Sequence, residues 1–238
     1  MKRYQIILLV TVGVIILLWI VGRLTGALQF YTMPTSSMEP ALNVNEKFFT
    51  TNLRSPERND IIVFTRLVNE KFETDPNGKK NTFCYRLIAK GGDKIEVKNG
   101  YAFVNGQLAD DTTKLKFPYT LPAQNFNDLL TVLEIDERDH RYNNDFYSTR
   151  DESTATLSYD EFAKARNVIP LVRVLMITDN PAPNIYQGKN WTVDNFGPYL
   201  VPSGYFFVLG DNRHNAMDSR YVGPIPVKDC KGAMIKKF

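Results

Sequence analysis

The sequence predicts a mainly β protein carried on one membrane-spanning helix, with a mixed α/β segment inserted between the two halves of the β part. Three observations lead there. An uninterrupted apolar run, Ile6 to Gly22, opens the chain. Short β-branched and aromatic runs, bounded by Gly, Asn or Asp, dominate both ends of the chain beyond it. The stretch from about Gln107 to Phe196 differs, and carries the helix-starting signals instead.

The first element is the membrane segment. A bilayer core needs roughly 20 apolar residues, with a working range of about 17–25. Ile6–Gly22 carries no charge, and Tyr4, Gln5 and Trp19 suit the two interfaces. Lys2 and Arg3 precede it, which places the N-terminus in the cytoplasm and everything after Arg23 on the extracytoplasmic side. A cleaved signal peptide is the rival reading. Its apolar region runs only about 7–15 residues and ends at a small-residue site, whereas Arg23 interrupts that approach here.

Strands are expected at Asp60–Phe64, Tyr85–Ala89 and Tyr205–Leu209. Lys94–Lys98 alternates in polarity, and Asn99-Gly100 then turns the chain into Tyr101–Val104, because Asn-Gly accepts the positive φ angles of a tight hairpin turn. Ser158 with Glu161 three residues on forms a capping-box pattern, predicting a short helix through Arg166. A second helix is expected around Asn127–Arg138. The expected division is 1–28 for the cytoplasmic n-region and anchor, 29–106 with 197–238 for the β core, and 107–196 for the insertion.

Composition removes several function classes. Of 238 residues, 43% are hydrophobic and 23% charged, the balance of a folded chain. The net charge of +3 is too small for the concentrated basic face of a nucleic-acid binder. Two cysteines and two histidines argue against a disulfide scaffold, a four-Cys zinc site or a His-based metal centre. No metal and no cofactor are expected.

Two clusters carry candidate chemistry. Met33-Pro34-Thr35-Ser36-Ser37-Met38-Glu39-Pro40 comes soon after the anchor. By itself, a Ser in such a loop is a turn residue bonding its own backbone, and Ser37 needs a base from elsewhere to become a nucleophile. The second cluster, Gly210-Asp211-Asn212-Arg213-His214-Asn215-Ala216-Met217-Asp218-Ser219-Arg220, ends a hydrophobic strand in a polar loop. So many buried polar groups must satisfy one another. On that ground alone, Asp218 and Arg220 read as a structural ion pair.

The anchor, these two clusters, Asn59-Asp60-Ile61-Ile62-Val63-Phe64 and Arg86-Leu87-Ile88-Ala89-Lys90-Gly91-Gly92-Asp93 stand in one order. Together they resemble the bacterial type I signal peptidase family over the anchor and both β-rich ends, while the middle carries none of the motifs. The resemblance implies an antiparallel, barrel-like catalytic core and a serine endopeptidase that cleaves signal peptides from exported preproteins. It implies a home in the cytoplasmic membrane, with the catalytic domain on the periplasmic side and apolar surface beside the site resting on the lipid bilayer. Ser37 takes the nucleophile's position. Its backbone N–H and the Thr35 hydroxyl take the oxyanion-binding positions, where pre-aimed donors stabilise charge that develops in the transition state. Asp218 and Arg220 take the positions that brace the site, and Asp211 lies in the same loop.

The departures bear on catalysis. The family's general base is a Lys directly before the Arg of the third motif, and that position is Tyr85. The Ser that orients this Lys is replaced by Ala216. A phenol with a pKa of about 10 is only about one part in a thousand phenolate at pH 7, and lowering it by three units takes roughly 4 kcal/mol. Arg86 should face the opposite side of the strand, and Lys90 sits at the Gly91-Gly92 turn. His214 has a suitable intrinsic pKa and lies two residues before Ala216, which makes it the best substitute base. Cys84 beside Tyr85 reads as an inert buried thiol. Sequence alone does not place Cys84 and Cys230 close enough to pair.

Two functions remain open. One is a working signal peptidase, with Tyr85 or His214 taking the proton. The other is a catalytically silent relative that binds signal peptides or an active signal peptidase paralogue. A soluble self-cleaving repressor with a related β core is a distant third, since it gives no reason for Ile6–Gly22.

Overall fold

The computed structural model describes residues 2–68, 77–136, 138, 139, 141–176, 186 and 189–238. His140 and parts of the expected insertion lie outside the described residues.

The apolar run forms a helix, Arg3–Thr25, whose apolar 18-residue stretch has a mean hydropathy of 2.7 and none of whose residues is buried. At 1.5 Å per residue it is about 34 Å long, enough for a hydrocarbon core of about 30 Å. Gly26 ends it at φ 78°, the left-handed conformation that glycine adopts without a Cβ clash. The strand Lys47–Thr51 and its successor then take over. Thr51 Oγ1 donates to the Ala27 carbonyl at 2.7 Å and Asn52 Nδ2 to the Thr25 carbonyl at 2.9 Å.

A seven-stranded sheet lies beyond, in the order Gln29–Thr32, Lys47–Thr51, Cys230–Lys237, Ile61–Val68, Lys79–Lys90, Tyr205–Leu209, Ile225–Pro226. Every pairing in it is antiparallel. The C-terminal strand slots between two N-terminal ones, so both ends of the chain build one core. The barrel-like expectation is corrected here: among the described residues the first and last strands do not pair, and the sheet stays open. Its edge strands are four and two residues long, short edges of the kind that discourage pairing with another chain.

A second sheet, Val172–Arg173, Lys116–Pro122, Glu152–Ser158, Phe146–Ser148, and a third, Asn195–Leu200, Lys94–Lys98, Tyr101–Val104, Gln107–Leu108, complete the body. Asn99 and Gly100 take φ of 50° and 80°, the turn the hairpin requires. The helix Tyr159–Ala165 opens on Ser158, whose capping box with Glu161 is formed. The other helix, Phe126–Leu133, stops short of Arg138. Glu134 turns left-handed at φ 56°, and the Ile135 N–H returns to the Leu130 carbonyl, which lets Ile135 bury itself in the core of the second sheet. Three hydrophobic clusters result, one per sheet. The first gathers Met38, Leu42, Phe48, Ile62, Leu87 and Val208 under the loop that carries Ser37.

Candidate active site

Ser37 lies in a one-turn 3-10 helix, Ser36–Met38, entered through the extended Thr35. Met33 and Met38 are buried on either side and anchor the loop in the core. The 210–220 loop holds it from the other side. The Ser37 carbonyl accepts the Asn212 N–H at 3.1 Å, the Ser36 carbonyl accepts Asn212 Nδ2 at 3.2 Å, and Asn215 Nδ2 donates to Ser36 Oγ at 2.8 Å. The approach demands glycine at 210, since a Cβ there would stand 2.8 Å from the Ser37 carbonyl oxygen and 2.3 Å from the Ala216 Cβ.

Ser37 Oγ and Thr35 Oγ1 are 3.0 Å apart. The second hydroxyl on Ser37 is the phenol of Tyr85, which also meets the Met217 backbone. Register explains its aim. Tyr85 pairs with Ile62 across the sheet, and Phe64, Phe83 and Tyr85 pack together on one face with ring centroids 5.7–6.5 Å apart. Burial raises the Tyr85 pKa above its ordinary value, and the Asp218 charge raises it further, outweighing the two hydrogen bonds that favour the phenolate. Tyr85 is therefore a neutral phenol at physiological pH. All of this faces a cleft of about 650 Å³, with Tyr31, Met33, Phe48 and Phe83 among its apolar walls. Among the described residues lining it there is neither a lysine nor a histidine.

Arg86, one residue on, points to the opposite face and binds Asp211 through two bonds of 2.7 and 2.5 Å. Asp218 and Arg220 form a fully buried bidentate pair at 2.9 and 2.7 Å. Asp218 also accepts the Gly210 N–H at 3.1 Å, and Arg220 donates to the Arg213 carbonyl at 2.6 Å. This pair therefore fixes both ends of the loop that grips Ser37.

The structure does not bring His214 to Ser37. Its Nε2 lies 2.9 Å from both oxygens of Asp194, its ring stands edge-on to Phe117, and it is absent from the cleft wall. Burial works against the Asp194 charge, but His214, the Met176 N–H and Arg220 hold that carboxyl below the usual range. Ala216 is buried and offers no hydroxyl. The Lys90 N–H bonds Asp93 where the strand ends. Cys84 and Cys230 are free thiols whose pKa values burial raises. They flank the strand Ile61–Val68 on either side, about 10 Å apart by strand spacing, beyond disulfide reach.

One constellation escaped the sequence. Lys116 Nζ lies 2.6 Å from Glu39 and 2.6 Å from Asp145, all three buried. No periodicity or spacing links positions 39, 116 and 145; only the packing of the second sheet against the loop that carries Ser37 does.

The signal peptidase family model, peptidase S26, matches residues 3–237. Signal peptidase I of Aquifex aeolicus (strain VF5) is 29% identical over 86% of this chain and 73% of its own length. The probable signal peptidase I-2 of Synechocystis sp. is 25% identical over 92% of this chain and 66% of its own length. A crystal structure of a signal peptidase I from Enterococcus faecalis V583 aligns with 77% of this chain and 100% of that one, at 20% identity and a TM-score of 0.35. With a match running from the anchor helix to the last strand, the chain belongs to the peptidase S26 signal peptidase family, whose members act on preproteins carrying signal peptides.

Proposed function

We propose that this chain is a membrane-anchored serine endopeptidase that cleaves signal peptides from exported preproteins, with Ser37 as nucleophile and Tyr85 as its slow proton acceptor. The observation that carries this reading is the meeting of the Ser37, Thr35 and Tyr85 hydroxyls in one apolar-walled cleft. Ser37 Oγ attacks the scissile carbonyl carbon, and its proton leaves for the Tyr85 phenolate. The Thr35 hydroxyl and the Ser37 amide receive the developing oxyanion. Collapse breaks the peptide bond and the phenol returns its proton to the leaving amine; water then hydrolyses the ester along the same proton path.

The Arg3–Thr25 helix supports a single-pass anchor in the cytoplasmic membrane, N-terminus inside and the 29–238 body on the extracytoplasmic side. Phe30, Phe49 and Phe238 cluster at 5.3–5.9 Å on the sheet edge that the helix feeds, with Phe238 59% exposed, which supports contact with the lipid surface. The separate core spanning Leu115 to Ile169 supports an inserted unit within 107–196, while Tyr186 and Phe196 pack with Ile88 and Phe207 of the β core.

A second reading, a silent paralogue that binds signal peptides or an active peptidase without cutting, draws on the neutral state of Tyr85. The two are separated by incubating the detergent-solubilised chain with a preprotein across a pH series. If the phenolate is the base, cleavage climbs about tenfold per pH unit from 7 toward 9, because the acceptor's pKa lies above about 10. Ser37→Ala and Tyr85→Phe both abolish it. No cleavage at any pH supports the silent reading instead.

A further inference from the structure

We infer that Lys116 is a positioning residue for the nucleophile: through its ion pair with Glu39 it sets the turn that presents Ser37 and the oxyanion-binding groups. This rests on the reading of Ser37 as the attacking oxygen.

Lys116 grips both halves of the site from a third place in the fold. Its ammonium holds Glu39, two residues past Ser37, at 2.6 Å. The Glu39 N–H in turn closes the turn onto the Ser36 carbonyl at 3.1 Å. Its backbone holds the opposing loop: the Lys116 N–H donates to the Asp211 carbonyl at 2.9 Å, and the Arg213 N–H donates to the Lys116 carbonyl at 3.1 Å. Between those two contacts lies Asn212, the residue that bonds the Ser36 and Ser37 carbonyls. One buried residue at the start of the strand Lys116–Pro122 is thus bonded to the nucleophile turn on one side and to the loop that braces it on the other.

Burial makes the geometry firm. The side chains of Lys116, Glu39 and Asp145 are 2–3% exposed, so an ammonium there must keep its carboxylates in place or leave charge unpaired. Asp145 supplies the second carboxylate from the turn before the strand Phe146–Ser148. Its pKa is raised by burial, against the Lys116 charge. The two carboxylates share one lysine, yet only Glu39 belongs to the nucleophile turn. That asymmetry provides a control.

The test compares Glu39→Gln with Asp145→Asn, each of which removes one carboxylate charge from the same ammonium. The probe is a peptide aldehyde spanning a signal-peptide cleavage site, paired with the matching peptide alcohol. The aldehyde adds Ser37 Oγ across its carbonyl to give a hemiacetal that uses the oxyanion contacts, whereas the alcohol reports cleft binding alone. Glu39→Gln is expected to lower the aldehyde-over-alcohol affinity ratio by about tenfold or more, the scale of a lost oxyanion contact, with the alcohol's Kd unchanged. Asp145→Asn is expected to leave the ratio as it is. Equal losses in both variants, a loss in Asp145→Asn only, or no loss in either would overturn the inference. If Glu39→Gln does not fold, Glu39→Asp carries the same test, since it keeps the charge but draws it one methylene back from Lys116, with Asp145→Asn still the control. An unmutated chain with no preference for the aldehyde overturns the reading of Ser37 itself, and the inference with it.

Discussion

The 210–220 loop and the strand Lys79–Lys90 meet at Ser37, and they satisfy their buried groups in different ways. In the loop, Asp218, Arg220, Asp211 and Arg213 pair with charged partners and backbone groups at 2.5–3.2 Å. On the cleft-facing side of the strand, the wall is aromatic. Phe83 and Tyr85 pack beside Phe64, and the one polar atom Tyr85 contributes is an uncharged hydroxyl. The loop holds Ser37 in place through paired charges and backbone bonds, while the cleft face of the strand offers a phenol and no amine that could accept a proton. The two features suit each other. A buried ammonium at position 85 requires acceptors, and Ala216 provides none, whereas a phenol needs only the Ser37 hydroxyl and the Met217 backbone.

Perturbing each wall sharpens this contrast. The largest effect falls on the loop: Asp218→Asn leaves Arg220 buried with a broken partner and should cost about 3–5 kcal/mol in denaturant unfolding. Asp194→Asn, behind the loop, should cost about 1–3 kcal/mol near neutral pH. Its pH dependence has a definite sign. Folding depresses the Asp194 pKa, so the carboxylate's contribution is complete above its unfolded value of about 4 and fades as pH falls through the lower folded value. The stability gap between the two proteins should therefore close in the acid range below about pH 4. The smallest effect belongs to the strand. Tyr85→Phe removes one neutral hydroxyl and should change stability by only about 0.5–1.5 kcal/mol. A cost as large as that of Asp218→Asn would break the contrast between the walls.

Much of the fold was legible because its signals are local. The Asn99-Gly100 turn, the Ser158–Glu161 cap and the apolar strands each depend on neighbours a few residues away. Strand parity was enough to separate Tyr85 from Arg86, and the structure puts them on Ser37 and Asp211 respectively. What escaped was long-range. The insertion of Cys230–Lys237 between two N-terminal strands and the open sheet edge depend on pairing partners that no local pattern names. His214 reads as a candidate base from its place two residues before Ala216, but Asp194, 20 positions away, captures its imidazole. Lys116 reads as an ordinary strand-start lysine until the packing puts two carboxylates on it.

The central claim is that proton acceptance limits Ser37 in an otherwise assembled site. Single-turnover cleavage of a preprotein by Tyr85→Lys/Ala216→Ser, compared with the unmutated chain at neutral pH, tests it most directly. A gain of about 10²-fold or more is expected, the scale of one positioned general base, together with loss of the steep rise toward alkaline pH. A double variant that folds, binds the preprotein and cleaves no faster than the unmutated chain would contradict the claim.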